Sequence, residues 1–223
     1  MDYQAPNDCC WYWKKLVATK DLFKVGITDR SSWQWQGQPK YTIKQGYNWL
    51  LGEKEYKQWS KVIWARPVFP RHSSTAWFLM NKKLPVKSRL AKFMGQCFDT
   101  TCALCGTESE DIDHLFFGCS WAIDLWQKIK VWWPPTILTT GIDSMLHHLQ
   151  KLEGPRRNKQ ITYAVTTAAF YQIWRARNEK IFSSHLRTAQ VVFKQLKDQL
   201  IQRILILNKI SRKYDKCIQG LLG

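Results

Sequence analysis

Four side chains between residues 102 and 119 have the types and spacing of a metal site: Cys102, Cys105, His114 and Cys119, in the pattern C-x₂-C-x₈-H-x₄-C. A C-x₂-C turn presents two thiolates to one side of an ion. A second pair from the following loop or helix completes a tetrahedron of the Cys₃His type that holds structural zinc. Four protein ligands leave no open position for water or substrate, so the pattern predicts one structural zinc ion and no catalytic metal. Glu108, Glu110, Asp111 and Asp113 lie between the ligands. The two aspartates superficially resemble the paired carboxylates of a polymerase, but no partner motif accompanies them. Three thiolates and four acids make the cluster itself repel phosphate.

The elements that must hold these ligands can be read from local rules. Gly106 suits a tight turn after Cys105. Thr107 and Glu110 have capping-box spacing, which predicts a short helix carrying His114 and stopping at Gly118, with Leu115, Phe116 and Phe117 packed inward. Ser120 reads as the N-cap of a helix presenting Trp121, Leu125 and Ile129 and ending at Pro134-Pro135. Upstream, a strand-like Tyr41-Thr42-Ile43 passes into a short helix with Tyr47, Leu50 and Leu51 at helical spacing. A helix around Tyr56 to Ala65 aligns Trp59, Val62 and Ile63, and Pro67 and Pro70 stop it. "HSSTAWFLMNKKLP" reads as a helix ending before Pro85, and "VKSRLAKFM" puts Val86, Leu90 and Phe93 on one face beside a basic flank. Downstream, "DSMLHHLQKL" is a weak helix whose His147-His148 pair has no acid or cysteine at ligand spacing and reads as a surface pair. Two long helices follow. Ile161, Val165, Ala168, Tyr171 and Trp174 mark one, and Val192, Leu196, Leu200, Ile204 and Leu207 mark the other, predicting a hairpin with basic outer faces.

Composition sets the partner class. The chain has 223 residues, 45% of them hydrophobic, with 13 Trp, enough apolar area for a folded core. Lys and Arg number 34 against 17 acids, a formal charge of +17 that attracts polyanions. Residues 102–119 contain no Lys or Arg and are an acidic island between strongly basic flanks. Contacts to nucleic-acid phosphates are therefore expected from Lys82, Lys83, Lys87, Arg89 and Lys92 on one side and Arg175, Arg177 and Lys180 on the other. No signal-peptide order and no apolar run near the ~20 residues that span a bilayer is present, so no membrane partner is expected. The expected residence is intracellular, nucleus ahead of cytoplasm. Cys9, Cys10, Cys97 and Cys217 read as ordinary thiols.

The stretches "WSKVIWARPVFPRHSSTAWFLMNKKLPVKSRLAKFM" and "CALCGTESEDIDHLFFGCSWAIDLW" are similar to the zinc-binding domain that follows the reverse transcriptase of plant non-LTR retrotransposons. Trp64, Pro67, Trp77, Leu84, Arg89-Leu90, the four ligands, His114 to Phe117 and Trp126 carry the resemblance, over roughly residues 41–133. "WYWKKL" and "IWRARNEKIF" resemble the family's usual flanks. Pro85 departs from it, standing where threonine or another N-cap is common. The resemblance implies a retrotransposon-derived zinc-binding fragment separated from the endonuclease, polymerase and RNase H-like parts of its parent, none of whose acidic motifs occurs here.

The expected fold is mainly α: a small zinc-stapled helical domain with a C-terminal helical hairpin appendage. The expected boundaries are a flanking segment at 1–40, the zinc-binding domain at 41–133, a linker at 134–154 and the hairpin at 155–216. The expected function is non-catalytic binding of nucleic acid, RNA ahead of duplex DNA. The competing readings are a protein-interaction module that docks a reverse transcriptase, another protein or a second copy, and a relic with no selected function.

Overall fold

The computed structural model describes residues 42–52, 57–95 and 97–211, with shorter stretches at 6, 10–11, 13–14, 17–19, 27–29 and 34–35. Cys9, Tyr41, Tyr56, Cys217 and the side chains of Leu50 and Leu51 lie outside the described residues. The chain divides into two compact units, Met1–Tyr56 and Lys57–Gly223.

In the first unit, β1 (Ile27–Asp29) and β2 (Gln34–Trp35) pair antiparallel. Helix α1 (Ile43–Leu51) begins at a capping box. The Thr42 hydroxyl accepts from the Gln45 backbone N–H at 3.2 Å, and Gln45 Oε1 accepts from the Thr42 N–H at 2.9 Å. Thr42, expected in a strand, is thus a helix N-cap, because its hydroxyl satisfies an amide the first turn leaves free. Tyr47, expected on the helix's apolar face, is 61% exposed.

The second unit is a helical assembly: α2 (Ser60–Ile63), α3 (Pro70–Met80), α4 (Lys87–Met94), a π-helical turn (His114–Gly118), α5 (Ser120–Trp132), α6 (Ile142–Lys151), α7 (Arg156–Ser183) and α8 (Ala189–Ser211). Helix α2 is one turn rather than the three expected from Tyr56 to Ala65, and Val62 and Ile63 are its buried anchors. Pro70 starts α3 at its first helical position, where the missing N–H costs nothing.

Helix α3 ends before Pro85 as expected, but already at Met80. Its end is a Schellman turn: Lys83 N–H donates to Phe78 O and Lys82 N–H to Leu79 O, both at 2.8 Å. Lys82 occupies the left-handed position of that turn, with φ 53°. Glycine is favoured there, since a Cβ crowds the backbone at positive φ.

Helix α7 is the centre of this unit. It packs against α2, α3, α5, α6, α8 and the π-helical turn. Buried residues surround it, including Ile161, Ala164, Val165, Thr167, Ala168, Phe170, Ile173 and Ala176. Small Ala and Thr side chains let neighbours approach on several sides, so α7 reads from spacing as one apolar stripe but is apolar around its circumference. Helix α8 follows its predicted stripe, with Val192, Leu196, Leu200, Ile204 and Leu207 all buried. The hairpin exists, but it is not an appendage; it completes the core of the zinc-binding unit. The segment 134–154, expected as linker, contributes α6 and buries Ile142, Met145 and Leu149.

Candidate functional site

The metal ligands sit on a small hairpin and the turn after it. Thr101 and Ser109 form an antiparallel bridge, Glu110 N–H donates to Thr100 O at 2.8 Å, and Cys102 N–H donates to Glu108 O at 2.7 Å. Gly106 closes the loop by donating to Cys102 O at 2.8 Å, with φ +72°, a conformation a side chain would strain. The second ligand pair depends on the π-helical turn. Cys119 N–H donates to His114 O at 2.6 Å, an i to i+5 bond that returns the chain after five residues. In an α-helix, residues five apart point about 140° away from each other.

The predicted helix start at Thr107 does not form. The Thr107 hydroxyl instead donates to Cys105 Sγ at 3.2 Å, and Asp111 Oδ1 caps the turn by accepting from His114 N–H at 2.7 Å. Helix α5 begins one residue earlier than expected, with Cys119 as N-cap and Ser120 as the first helical residue.

The four ligand atoms lie within 4.8 Å of one another. Cys102 Sγ and Cys119 Sγ are 3.9 Å apart, and Cys105 Sγ is 3.3 Å from His114 Nε2. Metal–sulfur bonds of ~2.3 Å and metal–nitrogen bonds of ~2.0 Å at tetrahedral angles require edges of roughly 3.8 and 3.5 Å. The donor set fits one structural zinc ion.

Its protonation chemistry fits as well. Hydrogen bonding to Cys119 holds the Cys102 thiol down at about 5, against burial, and pushes Cys119 up. The two sulfurs thus compete for one proton that a metal ion replaces. Burial opposes ionisation of Cys105, but the Glu108 N–H, the Thr107 hydroxyl and His114 together lower it. His114 Nδ1 lies 3.1 Å from Glu108 Oε2 without hydrogen-bond alignment, and Nε2 is the ring nitrogen that faces the Cys105 sulfur.

The knuckle is joined to the helices by Glu110, which is wholly buried. Its carboxylate accepts from the Lys87 backbone N–H at 2.9 Å and from Arg177 Nη2 at 2.7 Å and Nε at 3.1 Å. Its own carbonyl accepts from Ser88 N–H at 3.0 Å. The N-terminus of α4, which follows Pro85-Val86 and has no side-chain cap of its own, is capped across space by the zinc loop. Nothing in the local pattern marks Glu110 for this role, because a buried and an exposed acid look alike in an acidic loop.

Arg177 is therefore not a surface contact. It is 5% exposed, paired with Glu110, and stacked over Trp174 with its guanidinium 4.9 Å from the ring centre. Lys87 is bound to Asp99 at 2.7 Å, with a side chain only 16% exposed. The Lys87 bond, with the Thr101 N–H, holds the Asp99 carboxyl well below the usual carboxylate range. Arg175 pairs with Glu179 one turn away at 2.8 Å. Lys180 is exposed on α7, outside the groove lined from α4.

The remaining predicted cations cluster. Lys82, Arg89 and Lys92 line one groove of about 600 Å³, together with Asp111 and Asp113. Arg89 donates to the Lys82 carbonyl, which ties α4 to the Schellman turn. Lys83 lies over the Trp77 ring, 5.9 Å from its centre. Phe93, expected on the buried face of α4, is instead 80% exposed at the groove.

Fold and site define a helical domain whose Cys₃His cluster fits one structural zinc ion. Residues 41–126 match the family model described as zinc-binding in reverse transcriptase, a segment that contains all four ligands and less than half of the chain. The match is to a zinc-binding accessory domain and not to a catalytic one. No curated protein and no solved structure matches the chain. Among the described residues, no helix is long and apolar enough to cross a membrane.

Proposed function

We propose that this retrotransposon-derived chain is a non-catalytic binder of nucleic acid that takes single-stranded RNA in preference to duplex DNA. The observation that carries this reading is the groove beside α4. There Lys82, Arg89 and Lys92 surround an exposed Phe93, with Lys83 and Trp77 close by in sequence on the α3 turn. Cations track a phosphate backbone, and exposed rings stack on unpaired bases that a duplex keeps hidden. The zinc ion supports the reading by holding Glu110, and through it the start of α4. Nuclear residence, with cytoplasmic residence second, accompanies this proposal.

The test is fluorescence anisotropy of the zinc-loaded chain with labelled single-stranded RNA over a salt series. Log affinity should fall linearly with log salt, and Arg89→Gln and Lys92→Gln should each lower the slope by about 1. Salt-independent binding, or none, refutes the proposal.

One observation favours a second reading, docking of a protein partner such as a reverse transcriptase or another copy. Val131, 85% exposed, borders a groove between α5 and α8 floored by Trp132 and Phe193. Self-association that persists at high salt in light scattering would support it.

A further inference from the structure

The groove beside α4 is lined by charges of both signs, carried by two separate segments of the chain, and that mixture bears on what enters it. Leu84 and Val86 are buried and Ile112 half-buried, so the floor is apolar. Lys82, Arg89 and Lys92 supply cations, Lys82 from an exposed position 3.7 Å from Asp143, and Phe93 is exposed. Asp111 and Asp113, just before the π-helical turn, add anionic lining. Asp111 spends Oδ1 on the His114 N–H and Asp113 spends Oδ1 on the Ile142 N–H at 3.0 Å. The second oxygen of each accepts no bond from a described residue, and both side chains are exposed.

A phosphate is repelled by those carboxylates, but the neutral edge of a base is not. We propose that the groove reads a guanine base of single-stranded RNA, an inference that rests on the nucleic-acid reading above. Phosphates would run along Lys82, Arg89 and Lys92, the base would stack on Phe93, and its Watson–Crick edge would meet Asp111 and Asp113. Guanine alone among the four bases presents two adjacent donors on that edge, N1–H and the 2-amino group. Adenine and cytosine place a ring-nitrogen acceptor beside their amino group, and uracil flanks its single donor with two carbonyls. Each of these turns a lone pair toward a carboxylate. Carboxylate acceptors aimed at base donors give discrimination comparable to other paired base contacts, and a groove of this volume lies within the range of about 300–1,000 Å³ typical of small-ligand sites.

The experiment uses the full zinc-loaded chain and labelled oligouridine carrying one central guanosine, inosine, adenosine or cytidine, at one salt concentration. The guanosine oligomer should bind at least about 5-fold more tightly than the others, the range expected for a paired base contact. Inosine, which lacks the 2-amino group, should fall between guanosine and adenosine. Asp111→Asn and Asp113→Asn keep the Oδ1 acceptors that cap the π-helical turn and α6 but replace the free oxygen with a donor. Both should abolish the guanosine preference while binding oligouridine more tightly than the parent chain, because an anion is lost. Near-ultraviolet circular dichroism and zinc content check that the variants are folded, and the inosine comparison needs no variant.

Binding that is equal for the four substituted oligomers and for oligouridine itself overturns base reading and leaves the nucleic-acid proposal standing. A guanosine preference that survives in both variants assigns it to another surface and overturns this site. Absence of binding to any oligomer overturns both, and tight binding of an arginine-rich peptide in its place would assign the two carboxylates to a basic protein partner.

Discussion

Glu110→Gln tests whether the zinc loop and the central helix are one structure. The substitution preserves shape and one carbonyl oxygen but removes the charge that faces Arg177, which is 5% exposed and donates to Glu110 at 2.7 and 3.1 Å. An uncompensated buried guanidinium costs about 3–5 kcal/mol. The amide also presents a donor where the Lys87 N–H and Arg177 both need an acceptor, so the upper part of that range is expected. For a chain of this size, a loss of that order lowers Tm by about 6–20 °C. The assay is urea and thermal unfolding followed by tryptophan fluorescence in reducing, zinc-containing buffer. The double variant Glu110→Gln/Arg177→Met removes both charges, and it should be less destabilised than Glu110→Gln alone. A single variant within about 1 kcal/mol of the parent, or strict additivity in the pair, would refute the argument that this ion pair ties the knuckle to α7.

Three further outcomes follow from the same contacts. Removing zinc with a strong chelator, or substituting Cys102→Ser, should loosen α4 and α7 together with the knuckle, since Glu110 links them. Structural zinc contributes on the order of 10 kcal/mol in small zinc peptides, and hydrogen exchange would reveal protection lost beyond residues 97–133. Lys82→Gly relieves the left-handed position that ends α3 and should stabilise the chain by about 1 kcal/mol in urea unfolding, while weakening RNA binding by one phosphate contact. His72 is buried between Phe69 and Tyr171, with no hydrogen-bond partner for either ring nitrogen. Burial first, and the charge of Arg71 second, lower it from 6.5 to about 3. The unfolded chain therefore gains a proton below pH 6.5 that the folded chain refuses, so this contribution is complete above pH 6.5 and is lost as pH falls toward 3. Between pH 6.5 and 5 the loss is about 1.6 kcal/mol, and His72→Phe should remove that part of the slope in unfolding measured across this range.

Much of the site was legible in the sequence because its chemistry is local. Ligand identity depends on residue types within residues 102–119, and all four predicted side chains converge within 4.8 Å. The apolar stripe of α8 was legible for a similar reason: one buried face leaves a clean helical period. Helix α7 was legible as a helix with one apolar stripe but not as the centre of the unit, because the small and polar residues off that stripe carry no sign in sequence that they are buried too. The basic residues were the least legible. Lys87, Arg175 and Arg177 look like Lys82, Arg89 and Lys92 in sequence, but the first three are held by Asp99, Glu179 and Glu110, whereas Lys82 stays exposed beside Asp143 at 3.7 Å and Arg89 stays exposed while donating to the Lys82 carbonyl.

By itself, then, the sequence determined the donor set, the zinc chemistry, the helical class and the basic field, each of which follows from composition or from spacing over a few turns. Tertiary structure alone decided that the C-terminal hairpin is the core of the unit, that Glu110 caps α4 and that a π-helical turn brings His114 and Cys119 together. It also decided which cations still face solvent. These outcomes depend on residues far apart in the chain competing for the same buried space and the same hydrogen-bond donors, and that competition is settled only when the helices pack.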